Sequence, residues 1–475
     1  MKKFIVILTF LLPISVFTQE DISVENLQSD VKILWQALNE LHPGLYRHID
    51  TLELEKHYED LKVKFSTGKS QKEAFVELSY FISKIKCGHT YLNPFNQPNK
   101  IVKSVLDEKV LLPFSFKIID QKLVVDQSLS DQINPFDVVK CINEIEIKSI
   151  LDTLTYFIKA DGNRYNKKIK DLEVSFNSKY NYFDYYFPLI YGFQDNVSIE
   201  IVGQAPKDVS LINVDSRNIK ISPPKNYDNQ WSYSFQNDYA YLRLGTFVTW
   251  RLTFDWKEYL DNFFEELKQK EILSLVIDVK GNEGGLSEVS EYLIKKLATK
   301  KGQTMPRRKY LAYKKVSDNL APHLKTWSRW FTNTSLWTKK LDENYRTPRF
   351  TKPSKKIKKN KNAYKGQTYL MINESNSSAT FILAENCKLN DYATLVGTET
   401  GGTKMGITGG QIFFLTLPNT KIEVDIPLIG SYPEKALPDE GIKPDKFVER
   451  KIDDYTSGKD NQLNYVIDLI KEEKN

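Results

Sequence analysis

Leu275-Val276-Ile277-Asp278-Val279-Lys280-Gly281-Asn282-Glu283-Gly284-Gly285 is the stretch whose reading decides the fold. An apolar, β-branched run that stops in a cluster of glycines predicts a strand, Ile272 to Val279, that turns sharply into a helix. The flanking sequence repeats the alternation. Tyr239 to Leu244 reads as a strand, Trp256 to Lys268 as a helix, and Leu286, Val289, Leu293 and Leu297 recur at helical spacing. Strands alternating with helices predict an α/β layer with parallel strands, whose ligands sit at the strands' carboxyl ends. Glycines at such an end let backbone N–H groups point into a cleft, where a pair of them can hold a developing oxyanion. Any tight strand-to-helix turn could require the same glycines, and their spacing is neither a Walker loop nor a dinucleotide fingerprint.

Two further segments carry chemistry. Ile372-Asn373-Glu374-Ser375-Asn376-Ser377-Ser378-Ala379-Thr380-Phe381 places hydroxyls where the strand Thr368 to Ile372 gives way to a helix starting near Ser378. A serine there is either a helix N-cap or a nucleophile supported by the helix amino terminus. Such a nucleophile needs a base, and the chain has five histidines: His42, His48, His57, His89 and His323. His89 stands out because Gly88 permits a tight loop exit before it.

The remaining sequence sets the surroundings. With 475 residues, 41% hydrophobic, 27% charged and three cysteines, the chain excludes a disordered, collagenous or disulfide-stapled protein. A net charge of +6, spread over 67 basic and 61 acidic residues, does not argue for a nucleic-acid partner. Met1-Lys2-Lys3 followed by the apolar run Phe4 to Phe17 predicts a cleaved secretory signal over residues 1–18 and a periplasmic or extracellular product. Stable membrane insertion is not expected afterwards. Cys87, Cys141 and Cys387 could oxidise in that compartment.

A helical region is expected over 19–104, with Val31, Leu34, Trp35, Leu38 and Leu41 on one face and Phe75, Leu78, Ile82 and Ile85 on another. Residues 105–165 read as a small mixed module, and 166–225 as an aromatic, irregular connection that packs between domains. The α/β domain occupies 226–450, interrupted by a lysine-rich loop at 352–365, with an edge hairpin around Pro418-Asn419-Thr420. A terminal helix is expected in 451–475. Scattered histidines and the absence of paired cysteines imply no metal and no cofactor.

These motifs together resemble the C-terminal processing, or tail-specific, peptidases and their tricorn-like branch. The strand with Lys280 to Gly285 is similar to their strand-plus-glycine signature. Ser378-Ala379-Thr380-Phe381, with Gly397 nineteen residues later, is similar to their nucleophile helix and the strand after it, and Gly441-Ile442-Lys443-Pro444-Asp445 to their final motif. The resemblance implies a ClpP/crotonase-like α/β core and a serine endopeptidase acting on peptides or unfolded proteins. By register Ser378 is the nucleophile, and the backbone N–H groups of Ala379 and of Gly284 or Gly285 form the oxyanion hole. In the tricorn-like branch the base is a histidine, here His89, oriented by a glutamate: Glu440 first, Glu434 second. In tail-specific proteases it is a lysine about 25 residues after the serine, where Thr403 stands, with Lys404 beside it. The 105–165 module resembles a degenerate PDZ domain lacking its usual glycines. The same fold also occurs in non-catalytic proteins that bind apolar ligands.

Overall fold

A computed structural model describes residues 21–107, 110–192, 196–213 and 225–473. The signal-peptide reading of 1–18 lies outside them. The chain opens with α1 (Val24–Leu41), α2 (Thr51–Lys64) and α3 (Gln71–Ser83). The Ser23 side chain caps α1, and Ser70 and Glu73 cap α3 reciprocally, so backbone donors left open at each helix start are satisfied. Leu27, Val31, Leu34, Leu38 and Leu41 form the buried face of α1.

An antiparallel sheet follows. It is built from β1 (Phe114–Ile119), β2 (Lys122–Ser128) and β3 (Val138–Ile142), with α4 (Ile147–Leu154), α5 (Tyr165–Asp171) and α6 (Tyr182–Tyr191) inserted before β4 (Asn196–Ile201) and β5 (Lys207–Ser210). Strand order is sequential, β1 to β5. Residues 166–213 are thus more regular than their sequence suggests. Six of the ten residues of α6 are aromatic and one is Pro188, a poor local case for a helix, yet Phe183, Tyr185, Tyr186 and Phe187 are buried. Ring packing, with Phe183 and Phe187 stacked at 5.1 Å and Tyr182 and Tyr186 at 6.2 Å, overrides local propensity here.

The α/β layer comprises β6 (Trp231–Phe235), β7 (Ala240–Leu244), α7 (Trp256–Gln269), β8 (Ser274–Asp278) and α8 (Ser287–Leu297). After a long excursion that includes β9 (Arg307–Tyr310), β10 (Leu324–Thr326), β11 (Thr338–Lys340) and β12 (Arg346–Pro348), the layer resumes with β13 (Gln367–Ile372), α9 (Ser378–Asn390) and β14 (Thr394–Gly397). Next come β15 (Ile407–Thr416), β16 (Glu423–Pro433), β17 (Lys446–Phe447) and α10 (Asn461–Glu472). Its sheet runs β17-β14-β13-β8-β7-β6, parallel except for β6 at one edge. Leu275 and Ile277 of β8 face the core shared with α7, α8 and α9, whereas Val276 faces the smaller core containing Val466 and Ile470 of α10. Burial on both faces is why this strand reads as an unbroken apolar run.

The expected hairpin is present, with longer strands, and it belongs to a separate antiparallel sheet, β9-β16-β15-β10, not to the edge of the α/β layer. Two buried carboxylates explain how this sheet joins its neighbours. Asp30 of α1 accepts the N–H groups of Asn419 and Thr420 at the hairpin tip (2.9 and 2.7 Å), and Arg307 of β9 forms a two-pronged pair with Glu385 of α9. The sheet therefore bridges the helical region and the α/β layer. Part of the lysine-rich segment is ordered by pairing, since Lys356–Ile357 lies antiparallel to Gly302–Gln303. All three cysteines are buried and unpaired, and burial pushes the Cys87 thiol up to about 11. No described helix is long and apolar enough to cross a membrane.

Candidate active site

β8 and β13 are adjacent and parallel, so their carboxyl ends deliver the glycine loop and the serine loop side by side. Asn376 and Asn282, both fully buried, lock the two loops together. The Asn376 side-chain amide donates to the carbonyls of Val279 (2.6 Å) and Asn282 (3.0 Å), and the Asn376 backbone carbonyl accepts the N–H groups of Gly401 and Gly402. Asn282 donates to Leu244 O, while its side-chain oxygen accepts from Thr380 Oγ1 (2.9 Å) and from the Gly284 N–H (2.8 Å). Buried polar networks that are fully satisfied hold one geometry, which suits a pair of loops that must stay in register.

Ser378 is the first residue of α9 and has φ +49°, a left-handed conformation that costs a non-glycine residue on the order of 1–3 kcal/mol. Neither serine at this turn caps the helix. Ser377 donates to Glu283 O at 3.0 Å, whereas the Ser378 hydroxyl has no hydrogen-bond partner among the described residues. The Ala379 and Gly285 N–H groups likewise have no acceptor among them. Gly284 was expected as a possible donor, but its N–H is engaged by Asn282, which leaves Ala379 and Gly285 as the open pair. Gly284 serves by being small: a Cβ there would lie 2.9 Å from Ala379 N and 3.0 Å from Ser378 Cβ. At Gly285, φ +135°, a Cβ would come within 2.3 Å of the Phe247 backbone.

His89 follows α3, and long-range contacts hold its loop. The Gly88 N–H donates to Asp161 Oδ1 (2.7 Å), Cys87 Sγ meets Thr408 Oγ1 (3.0 Å), and Tyr91 O accepts the Asp425 N–H (3.0 Å). Asn93 and Asn96 donate to the Asp425 carboxylate, and Gln97 bridges to Glu423. His89 and Ser378 both line one cleft of about 2510 Å³, together with Gly284, Gly285 and Ala379. Burial lowers the His89 pKa, opposed first by the negative charge of Asp161. The ring is therefore neutral at pH 7 and able to accept a proton. Its Nδ1 is buried without a partner.

The remaining expected residues are elsewhere. Glu440 binds Lys404 (2.8 Å) and Lys443 (2.7 Å), whose hydrogen bonds hold its carboxyl down to about 2, and none of its hydrogen bonds reaches a histidine. Lys404, the alternative base, is ion-paired to Glu440, and neither residue lines the cleft. Glu434 pairs with Arg308 on the surface. The final motif is structural: Asp445 accepts the Leu395 N–H (2.9 Å), and Ile442 exchanges hydrogen bonds with Thr400.

Sequence reading missed Asp161, Asn282, Asn376 and the buried Lys167. Lys167 is bound to Asp171 and lies 3.3 Å from Glu283, beside the glycine loop. Asn282 and Asn376 stand inside the quoted motifs, and paired asparagines bracketing glycine and serine turns were the available signal. Asp161 and Lys167 had none. Among the described residues no cluster of side chains suits a metal ion.

Residues 238–445 match the sequence pattern of peptidase family S41. Among solved structures, the CPAF S499A mutant superposes with a TM-score of 0.64 at 14% identity, covering 94% of this chain and 97% of that one. Mature CPAF complexed with lactacystin gives 0.63 at 15%, covering 94% and 99%. The photosystem II D1 C-terminal processing protease is more distant, at 0.41 and 11% over 89% and 92%. No curated protein sequence matches the chain. The CPAF likenesses are likenesses of fold over nearly the whole length, and the sequence match falls on the segment that carries both loops of the cleft. The segment 238–445, which carries both loops of the cleft, thus matches peptidase family S41, and the chain is a serine-type peptidase.

Proposed function

We propose that the chain is a secreted endopeptidase in which Ser378 attacks the scissile carbonyl and His89 is the base. The observation that carries this reading is the isolation of Ser378: a strained residue with an unengaged hydroxyl, flanked by the two open N–H groups of Ala379 and Gly285, on the cleft that also receives His89. His89 takes the Ser378 proton as the oxygen attacks and returns it to the departing amine. A water deprotonated by His89 then hydrolyses the acyl-enzyme and restores the serine. The negative oxygen of each tetrahedral intermediate lies between the Ala379 and Gly285 N–H groups. Losing one such donor typically raises the barrier by about 2.7–4 kcal/mol.

Asp161 is the carboxylate that supports the imidazolium in this reading. It is buried, grips the loop through the Gly88 N–H, and leads the charges that favour protonated His89. A Ser378–His89–Glu440 arrangement would require Glu440 to leave Lys404 and Lys443. The substrate would be an extended peptide. Support comes from the cleft wall, where the β1–β2 turn at Asp120 and Gln121 and the aromatic Tyr180 and Tyr182 line the same space as Ser378. In that position the 105–165 module acts in a PDZ-like way, by contacting substrate.

Fluorophosphonate labelling with the modified residue mapped by peptide mass spectrometry tests the reading. Modification is expected at Ser378, absent in Ser378→Ala and His89→Ala, and retained in Ser377→Ala and Lys404→Ala. Labelling that survives His89→Ala and vanishes in Lys404→Ala would replace the histidine base with the lysine.

A further inference from the structure

Residues 324–365 hold thirteen lysines and arginines against Asp342 and Glu343, a net +11 in a chain whose total is +6, so all other residues together sum to −5. Positive charge is concentrated in one excursion from the α/β layer. That excursion also exposes large apolar side chains: Trp330 at 70%, Leu336 at 78% and Phe350 at 95%. They belong to one hydrogen-bonded knot built around the β11–β12 hairpin. Trp337 Nε1 donates to Trp330 O (3.4 Å), and Trp337 O accepts the Arg349 N–H (3.0 Å), which gathers Trp330, Leu336 and Phe350 about Trp337. Within the knot, Arg329, Lys339 and Arg349 have no acidic partner among the described residues, whereas Lys340 is paired to Glu343.

We propose that this knot is a docking surface for an anionic lipid bilayer. Tryptophan and phenylalanine at the tip with lysine and arginine around them form the pattern that settles at a headgroup boundary, where each basic residue near an anionic surface contributes about 1 kcal/mol. Charge decides against the other occupant an apolar patch suggests, a second copy of this chain, because a symmetric pairing would bring two strongly positive segments together. A purely ionic partner would satisfy the cations and leave Leu336 and Phe350 in water. Trp327 and Lys355, from the same excursion, line the cleft that holds Ser378, so docking would set the mouth of the cleft beside the bilayer. This inference stands independently of how the catalytic residues divide their roles.

The test is co-sedimentation of the whole chain with phosphatidylcholine vesicles, plain or containing about 30% phosphatidylglycerol. Binding to the anionic vesicles is expected to be at least about tenfold stronger, to weaken in high salt, and to fall about tenfold both in Trp330→Ser/Phe350→Ser and in Lys339→Glu/Arg349→Glu. Equal binding to both vesicles, or none, overturns the proposal. So does anionic binding that ignores Trp330→Ser/Phe350→Ser, and so does displacement of the vesicles by a single-stranded oligonucleotide bound more tightly. Thermal melting of each variant against the parent establishes folding, and the single Phe350→Ser, at the most exposed of these positions, replaces any variant that fails to match.

Discussion

The two halves of the cleft are held in place by different means. On the nucleophile side, Asn282, Asn376 and Thr380 satisfy one another and the backbone of two adjacent loops, and every partner lies within the α/β layer. On the base side, the His89 loop hangs on Asp161, Thr408 and Asp425, which come from an inserted module and from the hairpin, and the ring itself keeps an unpartnered buried nitrogen. The strained, network-locked side is built for accuracy. The other is assembled from parts that meet only when distant segments pack, and a buried polar group without a partner costs about 1–3 kcal/mol. The base side is therefore where a bound substrate has most to gain by completing the geometry.

Substitutions can break this contrast. Ser378→Ala should abolish peptide hydrolysis, with kcat lower by on the order of 10⁴–10⁶, while the melting temperature holds, because the substitution removes a hydroxyl without a hydrogen-bond partner among the described residues and leaves the left-handed backbone as it was. A loss of less than tenfold would remove Ser378 from the chemistry. Asn282→Ala comes next: it frees the Gly284 N–H and Thr380 Oγ1 together, and kcat should drop about a hundredfold with KM little altered, since loop placement and not substrate contact is lost. A change confined to KM would contradict the positioning role.

The base side yields subtler effects. Asp425 is buried, and burial raises its carboxyl pKa to about 6. A carboxyl raised in the folded state stabilises the fold fully below its unfolded pKa of about 3.9, and that contribution disappears as pH climbs through about 6. Denaturant titrations of wild type and Asp425→Asn should therefore diverge by about 2–3 kcal/mol between these limits, with wild type losing relative stability toward neutral pH. Parallel curves would show that Asp425 titrates normally. Asp161→Asn should have the smallest effect. Because the Asp161 charge raises the His89 pKa against burial, removing it should move the acid limb of kcat/KM to lower pH. An unmoved limb, set against one that moves in Glu440→Gln, would return the orienting role to Glu440.

Legibility in the sequence follows the same divide. Strand β8, the glycines after it and the serine turn before α9 are contiguous patterns of periodicity and turn chemistry, so their order could be read directly, while the roles of Ser378 and the glycines came only from the family resemblance. His89 could be nominated from its glycine neighbour, but the carboxylate beside it could not. Glu440 has the right sequence context and sits with Lys404 and Lys443, while Asp161 lies 72 residues from His89 in an unremarkable stretch and reaches its loop through a hydrogen bond. Helix α6 was hidden for another reason: Pro188 and aromatic residues argue locally against a helix that ring packing stabilises.

By itself, the sequence determined the alternation of the α/β layer and the two loops at its strand ends. Periodicity and turn preferences act over a few residues and leave their mark there. Only the tertiary structure decided which N–H groups stay open, that Lys404 and Glu440 neutralise each other, and that Asp161 holds the loop of His89. Each of those depends on which distant groups come within a few ångströms of one another once the helical region, the inserted sheet and the hairpin close around the cleft.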